Sequence, residues 1–121
     1  MSNRILLADD SEDMLILMRM VLLGADFTIV GSATNGDEAL QMWRDSRPPE
    51  IFAVILDQRM PGRTGFEVAE QILAEEPNQR IILFSAQLEP GLAERAAALG
   101  VTACVAKEDV VNLPNHAALQ A

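Results

Sequence analysis

The sequence predicts a doubly wound α/β domain: a five-stranded parallel sheet of order 2-1-3-4-5 with helices on both faces. Short apolar runs alternate five times with segments of helical period, the pattern of repeated strand–helix units. Runs such as Ala53-Val-Ile-Leu56 are apolar without interruption, as strands buried on both faces are. Right-handed crossovers then leave a doubly wound sandwich, for which 2-1-3-4-5 is a common order.

The first strand is expected at Ile5–Ala8 and the first helix at Ser11–Leu23, with Ser11 as N-cap and Glu12 and Asp13 in the first turn, where the helix dipole favours acids. Phe27–Ala33 reads as the second strand. Asn35-Gly36 makes a turn into a second helix, Asp37–Asp45, and Arg47–Glu50 is a loop. Ile51–Leu56 is the third strand. The breaker-rich loop Met60–Gly65 leads into a third helix, Phe66–Ala74, with Phe66, Ala69, Ile72 and Leu73 as its apolar positions and Pro77 closing it. Arg80–Phe84 is the fourth strand. Glu89–Leu99 is an Ala-rich helix, with Pro90 in its first turn and Gly100 at its C-terminal cap. Val101–Ala106 is the fifth strand. In the last segment, Asp109–Ala121, Pro114 predicts a short or broken helix.

At 121 residues, half of them apolar, the chain is expected to form one globular domain spanning 1–121. A formal net charge of −9 argues against direct contact with nucleic acid or an anionic membrane, both of which need Lys and Arg stripes. No apolar run approaches the ~20 residues of a membrane span, and the N-terminus does not read as a signal peptide, so a cytoplasmic location is expected. The lone cysteine, Cys104, reads as a small buried hydrophobe and the lone histidine, His116, as a surface residue. The one lysine, Lys107, stands against eight arginines, which suggests a position needing a compact ammonium.

In open parallel sheets, ligands bind beyond the C-terminal ends of the strands. Asp9 and Asp10 follow the first strand, Asp57 the third, Ser85 the fourth and Lys107 the fifth, so all are expected on one rim. Clustered carboxylates are costly unless a cation neutralises them, and hard oxygen ligands without Cys or His suggest Mg²⁺. With Ser85 and Lys107 added, the set suits in-line phosphoryl transfer, which depends mostly on positioning and electrostatics. One carboxylate would then serve as nucleophile.

Along nearly its full length the sequence resembles the receiver domain of two-component response regulators. The resemblance is carried by Asp9-Asp10 after an apolar strand, by Asp57-Gln-Arg-Met-Pro-Gly-Arg-Thr-Gly65 (the pattern D-x-x-M-P-x-x-x-G), by Asn35-Gly36 with Glu38-Ala39-Leu40, by Ser85-Ala86, and by Gly100 with Lys107 seven residues on. It implies a flavodoxin-like fold and a phosphoacceptor, Asp57. It implies Mg²⁺ held directly by Asp10, Asp57 and the backbone carbonyl of Arg59, and through water by Asp9. It also implies that Ser85 hydrogen-bonds the phosphoryl group, that Lys107 pairs with Asp57 or its phosphate, and that the small Ala86 leaves the site open to a donor. The implied donors are a histidine kinase or a phosphotransfer protein. An output domain in a longer chain and a homodimer both stay open.

Two departures stand out. Cys104 occupies the position where the family usually has Tyr or Phe, and a thiol cannot report a switch by ring burial. Glu108 replaces the usual proline after the lysine. Arg59 and Gln87 stand where the family modulates access of water to the phosphoryl group, with the sign of their effect open.

In the first helix, only Arg19 is charged between Met14 and Leu23. With Met14, Leu17, Met18, Val21 and Leu22 facing the core, Leu15, Ile16, Met20 and Leu23 would point outward as a partner-docking patch. Other classes stay open. An aspartate-dependent phosphohydrolase would want an acid where Arg59 stands, and a flavodoxin-like cofactor binder would want a phosphate-cradling loop where Ala8-Asp-Asp-Ser11 stands. A degenerate receiver could act by binding alone.

Overall fold

The computed structural model describes residues 3–46, 51–86 and 89–118. Five parallel strands, β1 (Arg4–Ala8), β2 (Thr28–Ala33), β3 (Ala53–Asp57), β4 (Arg80–Ser85) and β5 (Ala103–Ala106), form one sheet in the order β2-β1-β3-β4-β5. The helices are α1 (Glu12–Leu23), α2 (Gly36–Ser46), α3 (Gly65–Glu75), α4 (Leu92–Leu99) and α5 (Leu113–Ala118), with a 3₁₀ segment, Lys107–Asn112, between β5 and α5. The architecture is the expected one.

Side-chain alternation along the strands divides the core into two layers. Leu6, Val54, Leu56, Ile81 and Leu83 pack with α2, α3 and α4. Ile5, Leu7, Ile55, Ile82 and Phe84 pack with α1 and α5. Both faces of the central strands are therefore dry, which explains the unbroken apolar run of β3, while the edge strand β2 is half-buried and admits Thr28 and Ser32.

Local signals set most helix ends. Ser11 caps α1, accepting from the Met14 N–H at 3.2 Å. Gly100 ends α4 in the left-handed conformation, φ 110°, which costs glycine little. Thr64 and Glu67 form a capping box at α3. Pro114 lies in the first turn of α5, where its missing N–H would have no intrahelical partner, so it starts this short helix rather than breaking it.

Several expectations are corrected. Helix α4 begins at Leu92, not Glu89, because Glu89-Pro90-Gly91 forms a turn with Gly91 left-handed, φ 82°. In α3, Val68 joins the buried face, while Phe66 is half-buried beneath the Arg95 guanidinium, 5.2 Å from its ring centre. In α1 the core stripe is Leu15, Met18 and Leu22, and Leu17 is exposed with Ile16, Met20 and Leu23. Leu15 thus points inward and not outward: every candidate phase of this helix is apolar, and only packing against the sheet selects one. His116 is half-buried and lies 3.2 Å from Asp109 rather than standing free on the surface. Cys104 is also half-buried, packed against the layer under α2–α4.

A polar network sits at the opposite end of the sheet from the acidic rim. Trp43 Nε1 donates to Gln79 Oε1 at 2.8 Å, and the Gln79 amide donates to the carbonyls of Ile51 and Arg80 at 3.3 and 3.1 Å. Trp43→Phe removes the donor and leaves a buried carbonyl unpaired. It is expected to cost about 2–3 kcal/mol of stability. Urea unfolding followed by circular dichroism measures it, and a loss under about 0.5 kcal/mol would show the network to be dispensable.

Candidate functional site

Strand register brings the acidic residues together. Ala8 pairs with Leu56, so one step further Asp9 comes beside Asp57. Asp57 pairs with Phe84 and Ser85 with Ala106, so Ser85 and Lys107 follow on the same rim. One carboxylate oxygen from each of Asp9, Asp10 and Asp57 lies within 4.8 Å of the others. Lys107 Nζ sits 2.9 Å from Asp9 Oδ2 and 3.2 Å from Asp57 Oδ2. The expected pairing with Asp57 is present, and Asp9 is the nearer partner.

Asp9 and Asp57 are buried, as is Ser85, while Asp10 is exposed. Asp9 Oδ1 accepts the Ser11 N–H at 2.9 Å, which ties the acidic pair to the start of α1. Its Oδ2 is buried without a hydrogen bond of good direction: Lys107 is close enough to pair as a charge but poorly aligned to donate. An under-satisfied buried carboxylate oxygen beside two further carboxylates is a donor set that fits a hard cation.

Asp57 feels the crowding most. Burial, then the negative charge of Asp9, raise its pKa from 3.8 to about 6, against the opposing pull of Lys107 and the Arg59 N–H. For Lys107, burial works against the charged form, but the close ion-pair contact with Asp9 and the charge of Asp57 outweigh it and hold the ammonium above its ordinary range. The site therefore contains one firmly positive group facing more negative charge than it can balance.

Arg59 touches the site through its backbone, its N–H lying 3.3 Å from Asp57 Oδ1. Its side chain points elsewhere, with Nη2 3.0 Å from Glu89 Oε2. Ala86 is exposed just past the end of β4. Cys104 pairs in register with Leu83, three residues before Lys107, and burial pushes its thiol pKa up. Gln87 lies outside the described residues. Glu89 carried no signal in the sequence, because its partner is 30 residues away on another loop.

The fold and this rim define a small α/β protein that gathers three carboxylates, two of them buried, around one ammonium, the build of a phosphoacceptor protein rather than of an enzyme turning over a separate substrate. The chain belongs to the response regulator receiver domain family, whose model matches residues 5–117. It is a phosphorylatable receiver of two-component signalling with the acidic pocket Asp9, Asp10 and Asp57 and the lysine Lys107. It is similar to the chemotaxis protein CheY of Listeria monocytogenes, 32% identical over 104 residues, covering 86% of this chain and 85% of that protein. The CheY of Thermotoga maritima is 28% identical over 107 residues, covering 88% of this chain and 87% of that one. Among solved structures, a LuxR-family DNA-binding response regulator from Staphylococcus aureus superposes with a TM-score of 0.83 at 28% identity, covering 94% of each chain. The fold also matches a chain of the CheX–CheY–BeF3–Mg complex of Borrelia burgdorferi, with a TM-score of 0.87 at 24% identity, covering 93% of this chain and 84% of that one. Among the described residues, no helix is long and apolar enough to cross a membrane.

Proposed function

We propose that Asp57 takes a phosphoryl group from a phosphohistidine on a kinase or phosphotransfer protein. The observation that carries this reading is the buried Asp57 carboxylate set 3.2 Å from the lone lysine within a three-acid cluster. An Asp57 oxygen attacks phosphorus, the donor's P–N bond breaks, and an acyl phosphate forms. Lys107 balances charge on the attacking residue and then on the phosphoryl oxygens, and Ser85, at the end of β4, hydrogen-bonds one of those oxygens.

Mg²⁺ is the cation this donor set suits. Asp10, Asp57 and the Arg59 carbonyl would hold it directly and Asp9 through water. When bound it supplies neutralisation of the clustered carboxylates and of the incoming phosphoryl oxygens. Ala86 keeps the approach free. With Cys104 in place of an aromatic ring, movement of Ser85 has no ring to draw inward, so the change in binding surface runs through the loops themselves. Work in the cytoplasm suits such a module, alone, as a homodimer, or joined to an output domain.

The docking surface for the donor is the outer face of α1. Helix α1 starts beside Asp9 and Asp10, and Ile16 and Met20 are 51% and 67% exposed on it. Ile16 also lines a shallow cleft with Arg19, Ser32 and Thr34. Ile16→Glu is expected to slow transfer from a phosphorylated phosphotransfer protein about tenfold, the effect of losing one apolar anchor. Transfer from acetyl phosphate should be spared. Equal slowing with both donors would reject docking on α1.

The phosphoacceptor reading is tested by incubating the protein with acetyl phosphate and Mg²⁺ and recording the intact mass. One added phosphoryl group is the expected result. Absence of any adduct would leave a module that signals by binding alone.

A further inference from the structure

The Arg59–Glu89 pair bridges two loops that flank the acceptor, the one after β3 and the one after β4. Both ends are anchored. The Arg59 N–H lies on the Asp57 carboxylate. The Glu89 carbonyl accepts the N–H of Leu92, a fully buried residue. The backbone of Arg59 is thus tethered beside Asp57, while its guanidinium is held by a carboxylate 30 residues along the chain.

We infer that Glu89 is a positioning residue for the chemistry at Asp57: it holds the Arg59 guanidinium aside before phosphorylation and yields it to the phosphoryl group afterwards. The inference rests on the phosphoacceptor reading above. The pair is weak enough to exchange, since the two side chains are 72% and 43% exposed and solvent screens them. A phosphoryl group is the stronger competitor, with roughly −1.5 to −2 charges and several acceptor oxygens, which the planar guanidinium matches two at a time.

The consequence concerns the lifetime of the phosphorylated form. Hydrolysis needs a water in line with the bond to Asp57; water adds to phosphorus, the P–O bond breaks, and the carboxylate and inorganic phosphate separate. A guanidinium lying over the outer face of the phosphoryl group obstructs that water. Glu89 competes for the guanidinium and so shortens the lifetime.

The test is a double-mutant cycle on the intact chain. Wild type, Glu89→Gln, Arg59→Ala and the double variant are loaded with acetyl phosphate and Mg²⁺. The donor is removed and the decay of the adduct is followed by intact mass. Glu89→Gln should lengthen the half-life about two- to fivefold, the range a surface ion pair permits. Arg59→Ala should shorten it, and in that background Glu89→Gln should have no effect. Glu89→Asp should restore a half-life close to wild type, with thermal midpoints unchanged throughout. No effect of Glu89→Gln, or the same effect with and without Arg59, overturns the inference while the acceptor reading stands. A wild type that takes up no phosphoryl group overturns both.

Discussion

Asp57→Asn is expected to take up no phosphoryl group from acetyl phosphate under conditions in which the wild type takes up one. The amide has no anionic oxygen to attack phosphorus, and no other carboxylate of the cluster is held both against Lys107 and beside the Arg59 N–H. The same substitution has a second, opposite consequence for stability. In the metal-free protein, the folded-state pKa of Asp57 is raised to about 6 by burial and by Asp9. The unfolded-state value is close to 3.9. Between these values the folded state binds more protons than the unfolded state, so stability increases as pH falls through 6 and the gain is complete near 4. Above pH 6, the ionised carboxylate is a penalty of about 3 kcal/mol. Asp57→Asn should therefore stabilise the metal-free protein at pH 7.5, and its advantage should vanish toward pH 4. Denaturant titrations of both proteins in a chelator measure this. An adduct on Asp57→Asn would move the acceptor elsewhere, and a variant less stable at pH 7.5 would refute the electrostatic account.

Gly65→Ala is expected to be among the most damaging single-methyl changes in the chain. A Cβ at Gly65 would stand 2.5 Å from the carbonyl oxygen of Asp57 and 3.0 Å from Leu83 Cδ2. The first of these is backbone of the acceptor residue and cannot rotate away. The Gly65 N–H also donates to the Gln58 carbonyl at 3.0 Å, and the Thr64–Glu67 capping box holds the same turn. Either α3 lifts from the sheet or the end of β3 moves. Overpacking of this kind costs about 1–3 kcal/mol, and here it also displaces Asp57, the proposed acceptor. The expected outcome is a lowered unfolding midpoint together with slowed uptake of phosphoryl from acetyl phosphate. An unchanged midpoint would mean that the α3 entrance has slack. Gly91→Ala is the contrasting control. Nothing lies within 4 Å of a Cβ there, so only its left-handed backbone is strained and the Asp57 carbonyl is not pushed.

The central strands were legible because each carries an uninterrupted apolar run, such as Ile5–Ala8, Ala53–Leu56 and Ile81–Phe84, and a strand covered on both faces of its sheet has no place for a polar side chain. Ser11 and Gly100 marked their helix ends because capping is settled within a turn of the chain. Helix α1 was legible as a helix but not in its rotation. Leu15 and Leu17 are chemically equivalent, and the choice between them was made by what the sheet presents. Glu89 and Gln79 were invisible for a different reason. Each matters through a partner some 30 residues or more away, Arg59 in one case and Trp43 in the other. No local pattern encodes such a meeting.

The candidate site divides in the same way. Its members were readable one by one, because in a parallel sheet whatever ends or follows a strand arrives on one rim: Asp57 and Ser85 end β3 and β4, and Asp9, Asp10 and Lys107 follow β1 and β5. Their order of approach was not readable. That Lys107 lies nearer Asp9 than Asp57, that one oxygen of Asp9 is left poorly satisfied, and that the Arg59 side chain turns away toward Glu89 depend on register and loop packing. Sequence by itself determined the kind of protein and its list of reacting groups, since both follow from short-range pattern. Only the tertiary structure decided which face of α1 is free and how charge is shared around Asp57. Those outcomes are set by distances of a few ångströms between segments far apart in the chain.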